Sequence, residues 1–175
     1  MNVKIFLTGA PGSGKTRLAL AVMNELKKAG KRVAGVISPE VRRNGKRWGF
    51  KIVDLASRTE RVLASVEEPA GPRVSRYRVN VSNIDAVVAS FEESWPTADI
   101  VLIDEIGKME LYSEAFAAMV ERILRSDKAV IGVVHRALAN RYGRRGKLFW
   151  LTKANWERTK EEVLALLCES AKRES

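Results

Sequence analysis

Leu18, Ala19, Val22, Met23 and Leu26 recur at spacings of three and four. That period puts them on one face of a helix, predicted over Arg17 to Ala29 with Gly30 as its stop. The preceding run Val3-Lys4-Ile5-Phe6-Leu7-Thr8 has strand character, and Arg32-Val33-Ala34-Gly35-Val36-Ile37 reads as a second strand. Strand, helix and strand in this order make a parallel unit whose crossover is right-handed. Pro39 ends the second strand, and the pattern then changes. Val41 to Phe50 reads as two strands about Asn44-Gly45, a pair that tolerates the positive φ angles of a tight hairpin. Phe50 to Leu55, Arg61 to Ala64 and Arg76 to Val79 are further strand segments, with Pro69, Gly71 and Pro72 marking a loop among them. An antiparallel excursion over about 39–80 is therefore expected.

Helical spacing returns over Asn83 to Ser94, with Ser82 or Asn83 as the cap. Asp99-Ile100-Val101-Leu102-Ile103-Asp104 sets four consecutive apolar residues between carboxylates, as in a central parallel strand buried on both faces. From about Ser113 to Arg125 the stripe Ala115, Phe116, Met119, Val120, Ile123 and Leu124 predicts another helix. Ala129 to Val134 is a buried strand and Leu148 to Leu151 a last one. A terminal helix, capped by Thr152 or Asn155, runs through about Glu169. The alternation predicts a single α/β domain over residues 1–175, with a mostly parallel sheet flanked by helices.

The segment joining the first strand and helix carries chemistry. Gly9-Ala10-Pro11-Gly12-Ser13-Gly14-Lys15-Thr16 has the form G-x-x-x-x-G-K-T. Its glycines let the backbone turn with N–H groups pointing inward, and these together with the positive helix end hold a phosphate. Lys15 then reaches the β- and γ-phosphates, and the Thr16 hydroxyl ligates Mg2+. Such a site needs a partner carboxylate, and Asp104 stands at the carboxyl end of the Val101-Leu102-Ile103 strand, on the ligand side of an open α/β sheet. Glu105 is the candidate base. Because successive strand residues point to opposite sides, it need not share the role of Asp104. The alternative for this pair is a carboxylate cluster favourable to the dipole of the following helix.

Composition narrows the setting. The chain has 175 residues, 46% of them hydrophobic, enough to bury about two-thirds of its unfolded surface. Lys and Arg exceed Asp and Glu by 31 to 21, a formal charge of +10 that favours polyanionic partners. The single cysteine, Cys168, forms neither an intrachain disulfide nor a thiolate cluster, which points to a reducing compartment. Its apolar neighbours predict a packed thiol. No stretch approaches the ~20 apolar residues of a membrane span and no signal-peptide pattern opens the chain, so a cytoplasmic protein without membrane partners is expected.

Three strings together resemble the THEP1 family of nucleoside-triphosphatases. They are Thr8 to Thr16, Pro39-Glu40-Val41-Arg42 leading to Gly49-Phe50, and Ile103-Asp104-Glu105-Ile106-Gly107-Lys108-Met109-Glu110-Leu111. Leu151-Thr152 with Asn155 is similar to a fourth segment of that family. The resemblance implies a RecA-like P-loop domain, monomeric or weakly associating, that hydrolyses several nucleoside triphosphates with Mg2+. It also implies nucleotide contacts from Thr8, Gly9, Ala10, Pro11, Gly12, Ser13, Gly14, Lys15 and Thr16. A second contact segment would be Val101, Leu102, Ile103, Asp104, Glu105, Ile106, Gly107 and Lys108. Asp104 would hold the metal through water, Glu105 would act on the attacking water, and Lys108 would lie near the phosphates. The stretch Leu138 to Lys147 departs from the family pattern in being short and arginine-rich.

Other residues admit two readings each. His135 ends a strand on the ligand side and either senses the γ-phosphate or is an ordinary exposed histidine. Arg136, Arg141, Arg144 and Arg145 could supply an arginine finger or form a solvated loop. The basic hairpin around Trp48 suits nucleic acid through phosphates and stacking, or a sheet edge protected by charge. Trp95, Trp150 and Trp156 are read as packing residues. No guanine-reading motif occurs, so loose base preference is expected. The rivals to hydrolysis are a nucleoside or nucleotide kinase and an ATP-dependent RNA- or DNA-binding protein.

Overall fold

The computed structural model describes residues 2–172. In chain order its elements are β1 (Lys4–Gly9), α1 (Lys15–Lys28), β2 (Val33–Ile37), β3 (Glu40–Arg43), β4 (Lys46–Asp54), β5 (Glu60–Ser65), β6 (Arg73–Val74) and β7 (Tyr77–Val79). There follow α2 (Val81–Ser94), β8 (Ile100–Ile106), α3 (Glu114–Arg125), β9 (Ala129–Val134), α4 (Ala139–Gly143), β10 (Lys147–Leu151) and α5 (Trp156–Lys172).

The strands form one sheet in the order β10-β1-β9-β8-β2-β4-β5-β7-β6, with β3 paired to β4. β10, β1, β9, β8 and β2 run parallel. The remainder is antiparallel and joins through β2 and β4, where Val36 pairs with Asp54 and Ile37 with Val53. The expected excursion is thus a continuation of the same sheet. It covers the edge that β2 would otherwise expose.

Alternation along the central strands divides the core. In β1, Phe6 joins the cluster under α2 and α3, while Ile5 and Leu7 join the cluster under α1 and α5. Every residue of β1 and β9 is buried, as the unbroken apolar runs require.

Local chemistry moves several boundaries. α1 begins at Lys15, two residues before the predicted start, because left-handed Gly14 (φ 90°) turns the chain directly into the helix. α2 is capped by Asn80, whose Oδ1 accepts from the Asn83 N–H at 2.9 Å. Ser82 does not cap it, since its hydroxyl donates to the same Asn80 oxygen. Before α5 both candidates act together: Asn155 Oδ1 accepts from the Thr152 N–H at 2.8 Å, and Thr152 Oγ1 from the Asn155 N–H at 3.2 Å. The arginine-rich stretch contains the short helix α4, anchored by fully buried Tyr142. Cys168 is exposed, because it lies beside buried Leu167 on the outward face of α5. Trp150 is 54% exposed for a similar reason, standing on the edge strand β10.

Gly146 marks where β10 meets the start of β1. A Cβ there would stand 2.3 Å from the Lys4 carbonyl oxygen. Gly146→Ala is expected to cost about 1–3 kcal/mol, as overpacking typically does. Chemical denaturation checks this, and an unchanged midpoint would contradict the contact.

Candidate active site

Gly9 closes β1 with φ 150°, Gly12 has φ 77° and Gly14 has φ 90°, so the loop turns through conformations that glycine adopts freely. Gly9 also lies against β10: a Cβ there would meet the Leu151 carbonyl oxygen at 2.5 Å. No side chain caps α1, which leaves the N–H groups of its first turn to face an anion. The Ser13 N–H closes the inner turn on the Ala10 carbonyl at 3.1 Å. Trp156 Nε1 donates to the Gly14 carbonyl at 3.0 Å, and the Arg17 guanidinium stacks 4.2 Å from the centre of its ring. Trp156 is therefore a packing residue, and what it packs is the loop.

Lys15 curls back so that Nζ donates to the Gly9 carbonyl at 2.8 Å. Burial lowers its pKa, the nearby Glu105 charge raises it, Arg136 lowers it and Asp104 raises it again. Lys15, Arg136, Asp104 and Glu105 thus share one electrostatic neighbourhood. Thr8 Oγ1 and Ser13 Oγ are buried there without a hydrogen-bond partner, while Ala10, Pro11 and Gly12 are exposed at the loop tip.

Asp104 reaches this neighbourhood across β9, which lies between β1 and β8. It is 5% exposed. Burial pushes its pKa up to about 6, against a hydrogen bond from the Thr16 hydroxyl and with a further push from Glu105. The Asp104–Glu105 peptide is cis. The pairing of β8 with β9 shifts between Asp104 and Ile106, leaving Glu105 at a bulge. Simple alternation is broken there, and both carboxylates come to act on Lys15.

The remaining residues of this segment divide sharply. Val101, Ile103 and Ile106 pack in the cluster under α2 and α3, and Leu102 in the cluster under α1 and α5. Lys108 is exposed. Gly107 lies between two acids: a Cβ on it would stand 2.9 Å from Glu105 Oε1 and 2.9 Å from Glu110 Oε2.

Glu110 was given no role on sequence grounds. It is 5% exposed, and its pKa is pushed up to about 8, first by burial and then by the charge of Glu105. Ser38, just beyond β2, hydrogen-bonds its carboxyl. The available signal was a carboxylate between the apolar Met109 and Leu111. Its partner Ser38 lies far off in sequence and only the sheet joins them.

The other candidates are placed differently. His135 is exposed, and its Nδ1 accepts from the Ala137 N–H at 3.1 Å, a local turn contact. Arg145 makes two bonds of 2.7 Å to the Glu121 carboxylate, and Arg141 lies over Tyr142. In the hairpin, Arg42 and Arg47 both pair with Glu40, at 2.6 and 2.9 Å, and Arg43 pairs with Glu67 while covering Trp48. Trp95 donates to Glu92 at 2.9 Å.

An open, mostly parallel sheet with a glycine loop and lysine at its first strand, and an Asp-Glu pair one strand beyond its neighbour, defines a P-loop NTPase. The sequence profile described as NTPase matches residues 4–164, and the chain belongs to that family. Among its relatives, Nucleoside-triphosphatase THEP1 of Methanocaldococcus jannaschii is 40% identical over 163 residues, covering 93% of this chain and 95% of the relative. That of Methanothermobacter thermautotrophicus is 45% identical over 135 residues, 77% of each chain. The crystal structure of THEP1 from Aquifex aeolicus superposes with a TM-score of 0.76 at 30% identity, covering 94% of this chain and 99% of that one. The solution structure of a human cancer-related nucleoside triphosphatase gives 0.74 at 30% identity, over 93% and 96%.

The buried acid makes stability depend on pH. The folded pKa of Glu110, about 8, lies above its ordinary 4.5, so its favourable contribution is complete below 4.5 and lost as pH rises through about 8. Glu110→Gln removes that loss. Melting temperatures from pH 5 to 9 should fall less in the variant than in the wild type, the stability difference reaching on the order of 4 kcal/mol at pH 9. Parallel curves would contradict the assignment.

Proposed function

We propose that this chain hydrolyses nucleoside triphosphates to nucleoside diphosphate and phosphate in the presence of Mg2+. The observation that carries the reading is the convergence of Lys15, Thr16, Asp104 and Glu105 at the uncapped start of α1. The names of the relatives agree with it. In this reading the loop N–H groups and Lys15 bind the β- and γ-phosphates. Thr16 and Asp104 offer hard oxygen donors already in contact with each other, which suits Mg2+, as do the unpartnered hydroxyls of Thr8 and Ser13 nearby. When bound, Mg2+ neutralises charge on the β- and γ-phosphate oxygens.

Glu105 orients a water in line with the γ-phosphate. The water oxygen bonds to the γ-phosphorus as the bond to the bridging oxygen breaks. The bridging oxygen leaves with the electron pair on the diphosphate, and the water proton passes to the Glu105 carboxylate. Loose base preference belongs to the same reading, because the sequence carries no guanine-reading motif. No helix among the described residues is long and apolar enough to cross a membrane. A cytoplasmic location belongs to the same reading on the strength of the lone cysteine, a single domain on the chain length, and a monomer on the resemblance to the family.

Glu105→Gln should lower kcat by about 10²–10⁴-fold while diphosphate affinity is kept, because the amide cannot take the proton. Phosphate release is measured for a panel of nucleoside triphosphates with Mg2+ and no added acceptor, and chelation should abolish it. A variant as fast as wild type would remove Glu105 from the mechanism. Phosphoryl transfer only on adding nucleosides would replace the hydrolase by a kinase.

A further inference from the structure

We infer that Arg136 is a further catalytic residue, a cis arginine that binds the γ-phosphoryl oxygens as charge develops on them. This rests on the hydrolysis proposed above. The topology carries the argument. β9 is inserted between β1, which leads into the phosphate loop, and β8, which ends in Asp104 and Glu105. The chain leaving β9 must therefore emerge between the two halves of the site. It is held there: the His135 N–H donates to the Ile106 carbonyl at 3.2 Å, one residue beyond Glu105. The next residues form a tight turn, Arg136–Leu138, closed by Leu138 N–H on the His135 carbonyl at 2.8 Å and by Ala137 N–H on His135 Nδ1 at 3.1 Å. His135 therefore serves to fix the turn that starts at Arg136.

The electrostatics agree with the placement. Arg136 is close enough to Lys15 for its charge to disfavour the lysine's. Two cations held near each other beside an anion-binding loop are an arrangement that a bound polyphosphate relieves. Arg136 is exposed and, among the described residues, makes no ion pair, whereas Arg145, Arg42, Arg43 and Arg47 are each paired to a carboxylate. Of the four arginines between 136 and 145, it is therefore the one that is both without an ion pair and near enough to Lys15 to act on its charge. The charge of the reacting phosphoryl group spreads over three equatorial oxygens, and a planar guanidinium fork can bind two of them at once.

The test compares wild type with Arg136→Ala, Arg136→Lys and Arg144→Ala, each checked for its thermal transition. Phosphate release and equilibrium binding of Mg·ADP with and without aluminium fluoride are measured. Arg136→Ala should lose about 10³-fold in kcat, the range for an arginine finger. Its affinity for ADP alone should stay within about three-fold, since the contact is made in the transition state. The tightening that aluminium fluoride produces in wild type should vanish in this variant. Lysine should restore little, lacking the planar fork, and Arg144→Ala should match wild type. A kcat within about three-fold of wild type, or a loss of ADP affinity as large as the loss of kcat, would overturn the assignment. A wild type that releases no phosphate defeats the hydrolase reading by itself. In that case tightening by aluminium fluoride that is lost in Arg136→Ala still supports Arg136, and tightening that is kept in the variant, or absent from the wild type, overturns it.

Discussion

An uncapped helix start is the constraint around which the molecule is arranged. Exposed amide donors and the positive end of α1 are useful only if the loop before them keeps its shape. The loop's glycines confer freedom and no rigidity, and their conformational entropy opposes order. Order comes from elsewhere in the chain. Leu151 at the end of β10 closes against Gly9, Trp156 at the start of α5 holds the Gly14 carbonyl, and Arg17 stacks on the same indole. The C-terminal strand and helix are thus walls of a site whose motif lies at the other end of the sequence.

The second half of the site is governed by charge in a place short of water. Asp104 and Glu110 are nearly inaccessible and Glu105 is half-buried between them, so three carboxyls repel one another across Gly107. Two features make the cluster tolerable. Glu110 is held largely as the neutral acid at neutral pH, and Lys15 supplies positive charge to the pair that faces the loop. A side chain at Gly107 would intrude on both glutamates, so the glycine there answers to crowding and not to an unusual φ angle.

How much of this was legible in the sequence follows from the range of each interaction. The phosphate loop, the central strands and the Asp104-Glu105 pair are local patterns and were read directly. The strand order was not, since nothing local says that β9 separates β1 from β8. Alternation suggested that Glu105 turns away from Asp104, and the bulge in the β8–β9 pairing overrode it. Glu110 escaped notice because its partner Ser38 is brought to it by the β2–β8 pairing of Ile37 with Asp104. The cap of α2 was misplaced by two or three residues because Ser82, a good cap by type, donates its hydroxyl to the better-placed Asn80. Cys168 was expected inside on the strength of its apolar neighbours, and Trp150 was expected to pack because it stands near a strand end. A helix and an edge strand each have an outward side, and these two residues occupy it.

The net charge of +10 is explained unevenly by the fold. Much of the basic character lies on the antiparallel half of the sheet, where a nucleic acid partner was one reading. There four of the cations are ion-paired, since Glu40 takes both Arg42 and Arg47, Glu67 takes Arg43 and Glu60 takes Lys51, while the Arg76 guanidinium bonds the Arg47 carbonyl. Exposed pairs of this kind add little stability, on the order of 0–1 kcal/mol each. What they do is line a hairpin edge with long charged side chains that discourage pairing with another sheet. Around the phosphate loop the cations Lys15 and Arg136 share their surroundings with the carboxylates of Asp104 and Glu105, so the charges there largely offset one another before a polyphosphate enters.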